Sequence, residues 1–66
     1  MKTNIKKVKI IIPNDIILKR VNSTPTLKRL SKCNLVVGEN IENVNHYQFA
    51  EMKRMYPILG INLIEL

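Results

Sequence analysis

The side chains best suited to catalysis or metal binding are few and isolated in this chain of 66 residues. Cys33 is the single cysteine and His46 the single histidine, so the chain can form no internal disulfide and no cysteine–histidine zinc site. Glu39 and Glu42 lie near His46, but their spacings match no metal motif. The two glycines are too few for a glycine-rich phosphate loop. We therefore expect a non-enzymatic protein without catalytic residues, metal, cofactor or small-molecule substrate.

Basic side chains give the strongest chemical signal. The chain has 11 lysines and arginines against five acidic residues, a formal net charge of +6. Residues 1–33 carry nine basic and one acidic residue, whereas residues 34–66 carry two basic and four acidic residues. This asymmetry predicts an anionic partner, either nucleic acid or an acidic protein face, and a solvated lysine-rich surface is the alternative. The candidate contacts are Lys6, Lys7, Lys9, Lys19, Arg20, Lys28, Arg29 and Lys32.

The evidence for nucleic-acid binding rests on charge alone. Lysines would neutralise phosphates without reading the base sequence. No recognised DNA- or RNA-reading motif is present, and three aromatic residues are too few for a stacking platform. Tyr47 is the aromatic residue best placed to stack on a base or to fill a partner's pocket, with a partly buried tyrosine as the alternative.

The elements that would position the basic side chains begin with a predicted β-hairpin. Residues 5–12 alternate in polarity, which predicts a strand with Val8, Ile10 and Ile12 on one face. Pro13-Asn14-Asp15 is typical of a turn, and residues 16–21 are predicted to form the second strand. Such a hairpin would present Lys7, Lys9 and Lys19 on one side. A short helix with Asp15 as its N-cap is the alternative for residues 16–21.

A short helix is predicted next in the chain. Thr24 is a suitable N-cap and Pro25 fits the first helical position, where its missing N–H costs nothing. Leu27 and Leu30 would share one face, and the helix would end at Ser31 or Asn34. The alternative for residues 23–37 is a loop followed by an extended segment.

The best-specified element is a helix over about residues 45–56. Asn45 is a favoured N-cap, and Gln48 three residues later completes a capping box. Val44 and Phe49 are spaced to form a hydrophobic staple around the cap. Pro57 ends the helix because it disfavours helical geometry in the residue before it.

Residues 58–66 alternate again and predict a C-terminal strand, with Leu59, Ile61 and Leu63 on one face. The sequence thus predicts a small α+β domain over residues 1–66: an N-terminal hairpin, a short helix, one capped helix and a C-terminal strand. Its basic half is residues 1–33 and its helix–strand half is residues 34–66. The candidate protein-interface residues are Tyr47, Ile61, Leu63, Ile64 and Leu66.

Residues 35–66 also resemble a known pattern. The pattern consists of Val37-Gly38-Glu39-Asn40-Ile41, then Val44-Asn45, Phe49, Met52 and Pro57, followed by an alternating strand. A similar pattern occurs in small head or neck proteins of tailed phages. These residues also resemble the N-terminal domain of the Mu-like prophage FluMu protein. The resemblance implies a virion or phage-assembly context and no defined activity.

We expect a structural or interaction subunit of a larger assembly, with a phage virion as the context and a capsid, head–tail or accessory protein as the role. Its protein partners would be phage structural proteins or further copies of itself. The alternatives are a small basic nucleic-acid-binding regulator or packaging accessory, and an inhibitor that docks on an acidic host protein. The longest apolar run is three residues, too short to span a membrane, so the expected location is the virion or the host cytoplasm. We expect neither secretion nor a membrane partner.

Overall fold

A three-stranded antiparallel sheet and three α-helices form the described part of the chain, residues 5–31 and 33–66, in a computed structural model. This architecture confirms the predicted α+β class. The predicted anionic-partner contact Lys32 and residues 1–4 lie outside the described residues. The elements are β1 Ile5–Ile12, α1 Asp15–Ser23, α2 Pro25–Leu30, β2 Gly38–Asn45, α3 His46–Met55, a 3-10 turn Pro57–Leu59 and β3 Asn62–Glu65.

Strand β1 is the centre of the sheet, whose order is β2-β1-β3. It is antiparallel to both neighbours, so that Ile10 lies opposite Asn40 on one side and Leu63 on the other. Both neighbours come from the second half of the chain. The N-terminal strand is therefore paired along both sides, and the edges of the sheet are β2 and β3.

The predicted hairpin is wrong, because residues 15–23 form helix α1 rather than a second strand. The Asn14 side chain accepts a hydrogen bond from the Ile17 N–H at 3.0 Å, so Asn14 is the N-cap and not Asp15. Helical geometry brings Leu18 and Val21 to the side that packs on the core, and Val21 is buried. The β-branched residues of this segment favour a strand by local pattern, but in the folded chain they lie in the helical layer.

Strand β2 takes the place beside β1 that the hairpin was predicted to fill. The Asn40 side chain stabilises the start of β2 with hydrogen bonds. Asn40 Oδ1 accepts from the Val36 N–H at 2.8 Å, and Asn40 Nδ2 donates to the Ile10 carbonyl at 3.0 Å. The same Nδ2 also donates to the carbonyls of Val36 and Gly38, at 2.9 and 3.2 Å. Gly38 opens the strand at φ +102°, a conformation that residues with a side chain rarely adopt.

Helix α2 begins and ends close to its predicted bounds, with Pro25 at the first position and Leu27 and Leu30 buried. Thr24 stands at the N-cap position but its hydroxyl donates backwards, to the Arg20 carbonyl at 2.9 Å. Thr24 therefore closes α1 instead of capping α2.

Helix α3 confirms the predicted capping box. The Gln48 N–H donates to Asn45 Oδ1 at 2.8 Å, and the Asn45 N–H donates to Gln48 Oε1 at 3.1 Å. Gln48 Nε2 also donates to the Leu30 carbonyl at 3.3 Å, which ties the start of α3 to the end of α2. One side chain thus satisfies two helix termini.

The C-terminal strand is shorter than predicted. Pro57–Leu59 forms a 3-10 turn, and Gly60 follows in the left-handed conformation at φ +83°. The chain reverses there, the Ile61 N–H donates to the Tyr56 carbonyl at 3.0 Å, and β3 covers Asn62–Glu65.

All three helices pack on one face of the sheet, and no described helix covers the other face. The predicted inward face of β1 is confirmed, since Val8, Ile10 and Ile12 are each at most 1% exposed. The core between sheet and helices consists of Val8, Ile10, Ile12, Val21, Leu27, Leu30, Leu35, Val44, Met52, Tyr56 and Ile61.

Candidate functional site

The two halves of the sequence neutralise each other's charge within the sheet. Lys6 Nζ lies 3.1 Å from a carboxylate oxygen of Glu65, and Lys9 Nζ lies 3.6 Å from one of Glu39. Each pair joins β1 to a strand from the second half. Two of the three lysines of β1 are therefore paired with glutamates, and the excess of positive charge in the first half remains on Lys7 and on α1 and α2.

The cations that remain lie mainly on α1 and α2. We call Lys19, Arg20, Lys28 and Arg29 the basic helix pair. All four are exposed, and none forms an ion pair with another described residue. Because α1 packs on the inner face of the sheet, Lys19 does not lie on one side with Lys7 and Lys9, and that prediction is wrong. The predicted anionic-partner contacts thus form two separate groups.

The uncovered side of the sheet carries apolar side chains. We call this surface the open face, and its apolar members are Ile5, Ile11, Ile41, Ile64 and Leu66. Ile5, Ile41 and Leu66 are 56–62% exposed and Ile64 is 43% exposed. The solvent side of an antiparallel sheet is ordinarily polar, whereas this face mixes these apolar side chains with the polar residues Lys7, Lys9, Glu39, Asn43 and Asn62.

Two lysines lie among the apolar side chains of the open face. Lys9 lies between its cross-strand neighbours Ile41 and Ile64. Lys7 lies next to Leu66, whose N–H donates to the Lys7 carbonyl at 2.9 Å, and it forms no ion pair with another described residue. The open face therefore combines apolar side chains with an ammonium group that has no carboxylate partner among the described residues.

The predicted interface residues fall into different environments. Ile64 and Leu66 belong to the open face. Ile61 is 2% exposed and part of the core, so it is not available to a partner, and Leu63 is half-buried on the inner face. Tyr47 is 73% exposed at the start of α3, with its ring centroid 4.0 Å from that of His46.

Sequence reasoning missed the contribution of Ile5 and Ile41 to this surface. Ile5 shares the outward phase of Lys7 and Lys9, which was a usable signal within β1. Ile41 carried no such signal, because its place on the open face depends on the pairing of β2 with β1, opposite Lys9.

A smaller apolar groove lies among the helices. It has a volume of about 150 Å³ and is lined by Leu27, Met55, Ile58 and Leu59. Ile58 at its rim is 84% exposed. This groove is the natural competitor of the open face as a place for a partner to bind.

A buried polar cluster lies under the inner face of the sheet. Glu42 is 6% exposed, and its carboxylate accepts a hydrogen bond from the Ser31 hydroxyl. The Tyr56 hydroxyl is buried nearby without a hydrogen-bond partner among the described residues. Burial, and secondly the negative charge of Glu42, raise the pKa of Tyr56 to about 12. Glu42 and Tyr56 are both buried, so these two side chains bear on stability rather than on binding.

Among the described residues, no three His, Cys, Asp or Glu side chains are grouped so that they could hold a metal ion. Nor does any described helix have the length and apolar composition needed to cross a bilayer.

Comparison with known proteins assigns no family, because the chain matches no protein-family model, no curated protein and no solved structure. The resemblance of residues 35–66 to small phage proteins therefore stays a prediction.

Proposed function

We propose that this protein is a non-enzymatic interaction subunit that is held in a larger assembly through its open face. The observation that carries the proposal is the row of exposed apolar side chains on the side of the sheet that no helix covers. Their members come from all three strands and the residue after β3, so that only the folded sheet creates the surface. An exposed apolar patch of this kind marks an interaction site.

The partner that we propose is a different protein with an acidic and apolar surface. Lys7 lies on the open face without a carboxylate partner among the described residues, and an acidic side chain of another protein would supply one. A second copy would instead bring one chain of net charge +6 towards another. Charge complementarity therefore favours a heterologous partner over self-association.

The apolar side chains supply the attraction and the lysines supply the specificity. Full burial of an isoleucine or leucine side chain contributes about 1.5–3 kcal/mol, so completing the burial of a half-exposed one contributes about 1 kcal/mol. Four such side chains on one flat surface give a gross gain of about 4 kcal/mol before the cost of association. The edges of β2 and β3 add unpaired backbone groups that a partner can meet.

The resemblance to head and neck proteins of tailed phages supports a phage particle as the assembly to examine first. Small proteins with one covered and one open sheet face gain most from neighbours, because a chain of this length buries only about 60% of its unfolded surface. The proposed location is the virion, or the host cytoplasm while particles assemble.

The test is to place a charge on the open face. We expect I41D and I64D to lose incorporation, because a partner would have to bury an unpaired carboxylate. The fraction of tagged chain that co-sediments with assemblies in lysates of phage-infected cells should fall at least about 10-fold, which corresponds to 1.4 kcal/mol.

The matched controls are I16D and I58D, which place the same charge at exposed isoleucines of α1 and of the apolar groove. Both should co-sediment as the unaltered chain does. Loss of incorporation in I58D alone would assign the partner to the groove, and equal incorporation of all four variants would refute the open-face proposal. Circular dichroism checks that each variant is folded.

A further inference from the structure

We infer that the basic helix pair binds the phosphate backbone of nucleic acid, on a surface separate from the open face. The proposed ligand is any duplex presenting phosphodiester groups, bound without base reading. This second activity does not depend on the proposed protein partner. Together the two surfaces would tie a nucleic acid to a protein assembly.

The first support is the contrast between paired and free cations. Elsewhere in the described chain, Lys6, Lys9 and Arg54 are engaged with glutamates at 3.1, 3.6 and 3.4 Å. Lys53 Nζ lies 5.4 Å from the centroid of the Phe49 ring. The four cations of the basic helix pair, like Lys7 on the open face, have no such partner among the described residues, and Asp15 is the one acidic residue on α1 and α2. Folding thus leaves the positive charge concentrated on this pair of helices.

The second support is the character of the side chains around these cations. Asn22, Ser23 and Thr26 are exposed on the same two helices and carry amide or hydroxyl groups that can donate to phosphate oxygens. Ile16 is the one large apolar side chain that α1 and α2 leave exposed. A protein interface needs buried apolar or aromatic anchors, whereas backbone binding needs only cations and donors. The composition therefore favours phosphate over a protein.

The third support is a polar recess at one end of the basic helix pair. It has a volume of about 100 Å³ and lies between Val21 of α1 and Leu35. Its polar lining is Asn22, Lys28 and Asn34, together with Ser31, whose hydroxyl already donates to the Glu42 carboxylate. A recess of this size has an ammonium group and two amides at its wall. It can therefore give a single phosphate group more contacts than a flat surface can.

Four phosphate contacts predict a definite salt dependence. Each contact contributes about −0.9 to the slope of log K against log salt, so four give about −3.6. Affinity should then fall about 100-fold between about 50 and 200 mM salt. It should be the same for duplexes of unrelated sequence.

The test measures fluorescence anisotropy of labelled DNA duplexes of about 20 base pairs across that salt range. The unaltered chain is compared with K28Q/R29Q and with K53Q/R54Q. Both variants lose two positive charges, but only the first alters the basic helix pair. We expect K28Q/R29Q to make the slope shallower by about 1.8 and K53Q/R54Q to leave it unchanged.

Three results would overturn the inference. Equal effects of the two double variants would mean that net charge alone attracts the DNA. No binding at about 50 mM salt would remove nucleic acid as the ligand. Competition by polyglutamate as effective per charge as by unlabelled DNA would assign the surface to an acidic protein. The I41D variant should bind DNA as the unaltered chain does. This result distinguishes a failure of the nucleic-acid inference from a failure of the open-face proposal.

Discussion

Replacing Ile10 with alanine is expected to remove most or all of the stability of the folded chain. Ile10 is fully buried at the centre of β1, between Asn40 and Leu63. Truncating a buried isoleucine to alanine costs about 2–5 kcal/mol, while a domain below about 70–80 residues rarely has more than 3–5 kcal/mol in total. Urea denaturation followed by circular dichroism should show I10A largely unfolded without denaturant.

The matched control is the next residue along the same strand. Ile11 points to the open face, so I11A removes the same atoms from a half-buried position and should cost about 1 kcal/mol or less. Because I10A will not give a measurable transition if it is unfolded, I10V and I11V supply a milder pair. We expect I10V to cost about 0.5–1.5 kcal/mol and I11V a few tenths. Equal costs at the two positions would contradict the assignment of faces.

Alkaline pH is expected to destabilise the protein through Tyr56. Its pKa is raised from 10.0 to about 12 in the folded chain, first by burial and second by the charge of Glu42. The unfolded chain therefore loses this proton at a lower pH than the folded chain does. Stability is fully present below pH 10 and falls as pH rises towards 12, by about 1.4 kcal/mol per pH unit. The total loss of about 3 kcal/mol is comparable to the whole stability of such a domain.

The Y56F variant isolates this effect from every other consequence of alkaline pH. It keeps the buried ring and removes only a hydroxyl that has no hydrogen-bond partner among the described residues. At pH 7 we expect Y56F to be more stable by about 1 kcal/mol, because a buried unsatisfied group is removed. The difference in unfolding free energy between the two proteins should then widen above pH 10. If the plots of unfolding free energy against pH for the two proteins stay parallel from pH 7 to 12, folding does not raise the pKa of Tyr56, and the prediction is wrong.

Local signals in the sequence were sufficient for the elements that local contacts define. The capping box of Asn45 and Gln48 lies within four residues, and it placed α3 correctly. The alternation along β1 assigned its two faces, and Pro25 fixed the start of α2. In each case the stabilising contacts join residues that are close in the chain.

Elements that depend on distant contacts could not be predicted in this way. Residues 16–21 fit either a strand or a helix by local pattern, and in the folded chain they form a helix that places Val21 in the core. Strand β2 could not be recognised from the sequence because its inward positions include the polar residues Asn40 and Glu42. The hydrogen bonds of these two side chains form only in the folded chain. Polar residues at inward positions obscure the alternation that reveals a strand.

The charge pattern shows the same difference between sequence and structure. Lys6 and Glu65 are separated by 59 residues, yet they form an ion pair across the sheet. The basic first half therefore divides on folding into β1 lysines, two of which are paired with glutamates, and a free set on α1 and α2. Candidate binding residues that looked like one group are thus separated: Lys7 and Lys9 lie on the open face, Lys6 lies on the opposite face of β1 near Phe49, and the remaining described ones lie on α1 and α2.

Side-chain footprinting of the protein, free and within its assembly, tests the role of the open face most directly. Carbene labelling followed by mass spectrometry reports the accessibility of individual aliphatic side chains. We expect Ile41, Ile64 and Leu66 to be labelled in the free chain and protected in the assembly, while Ile16 and Ile58 are labelled equally in both. Equal labelling of the open face in the two states, or protection confined to Ile16 and Ile58, would contradict its role as the surface that holds this protein in place.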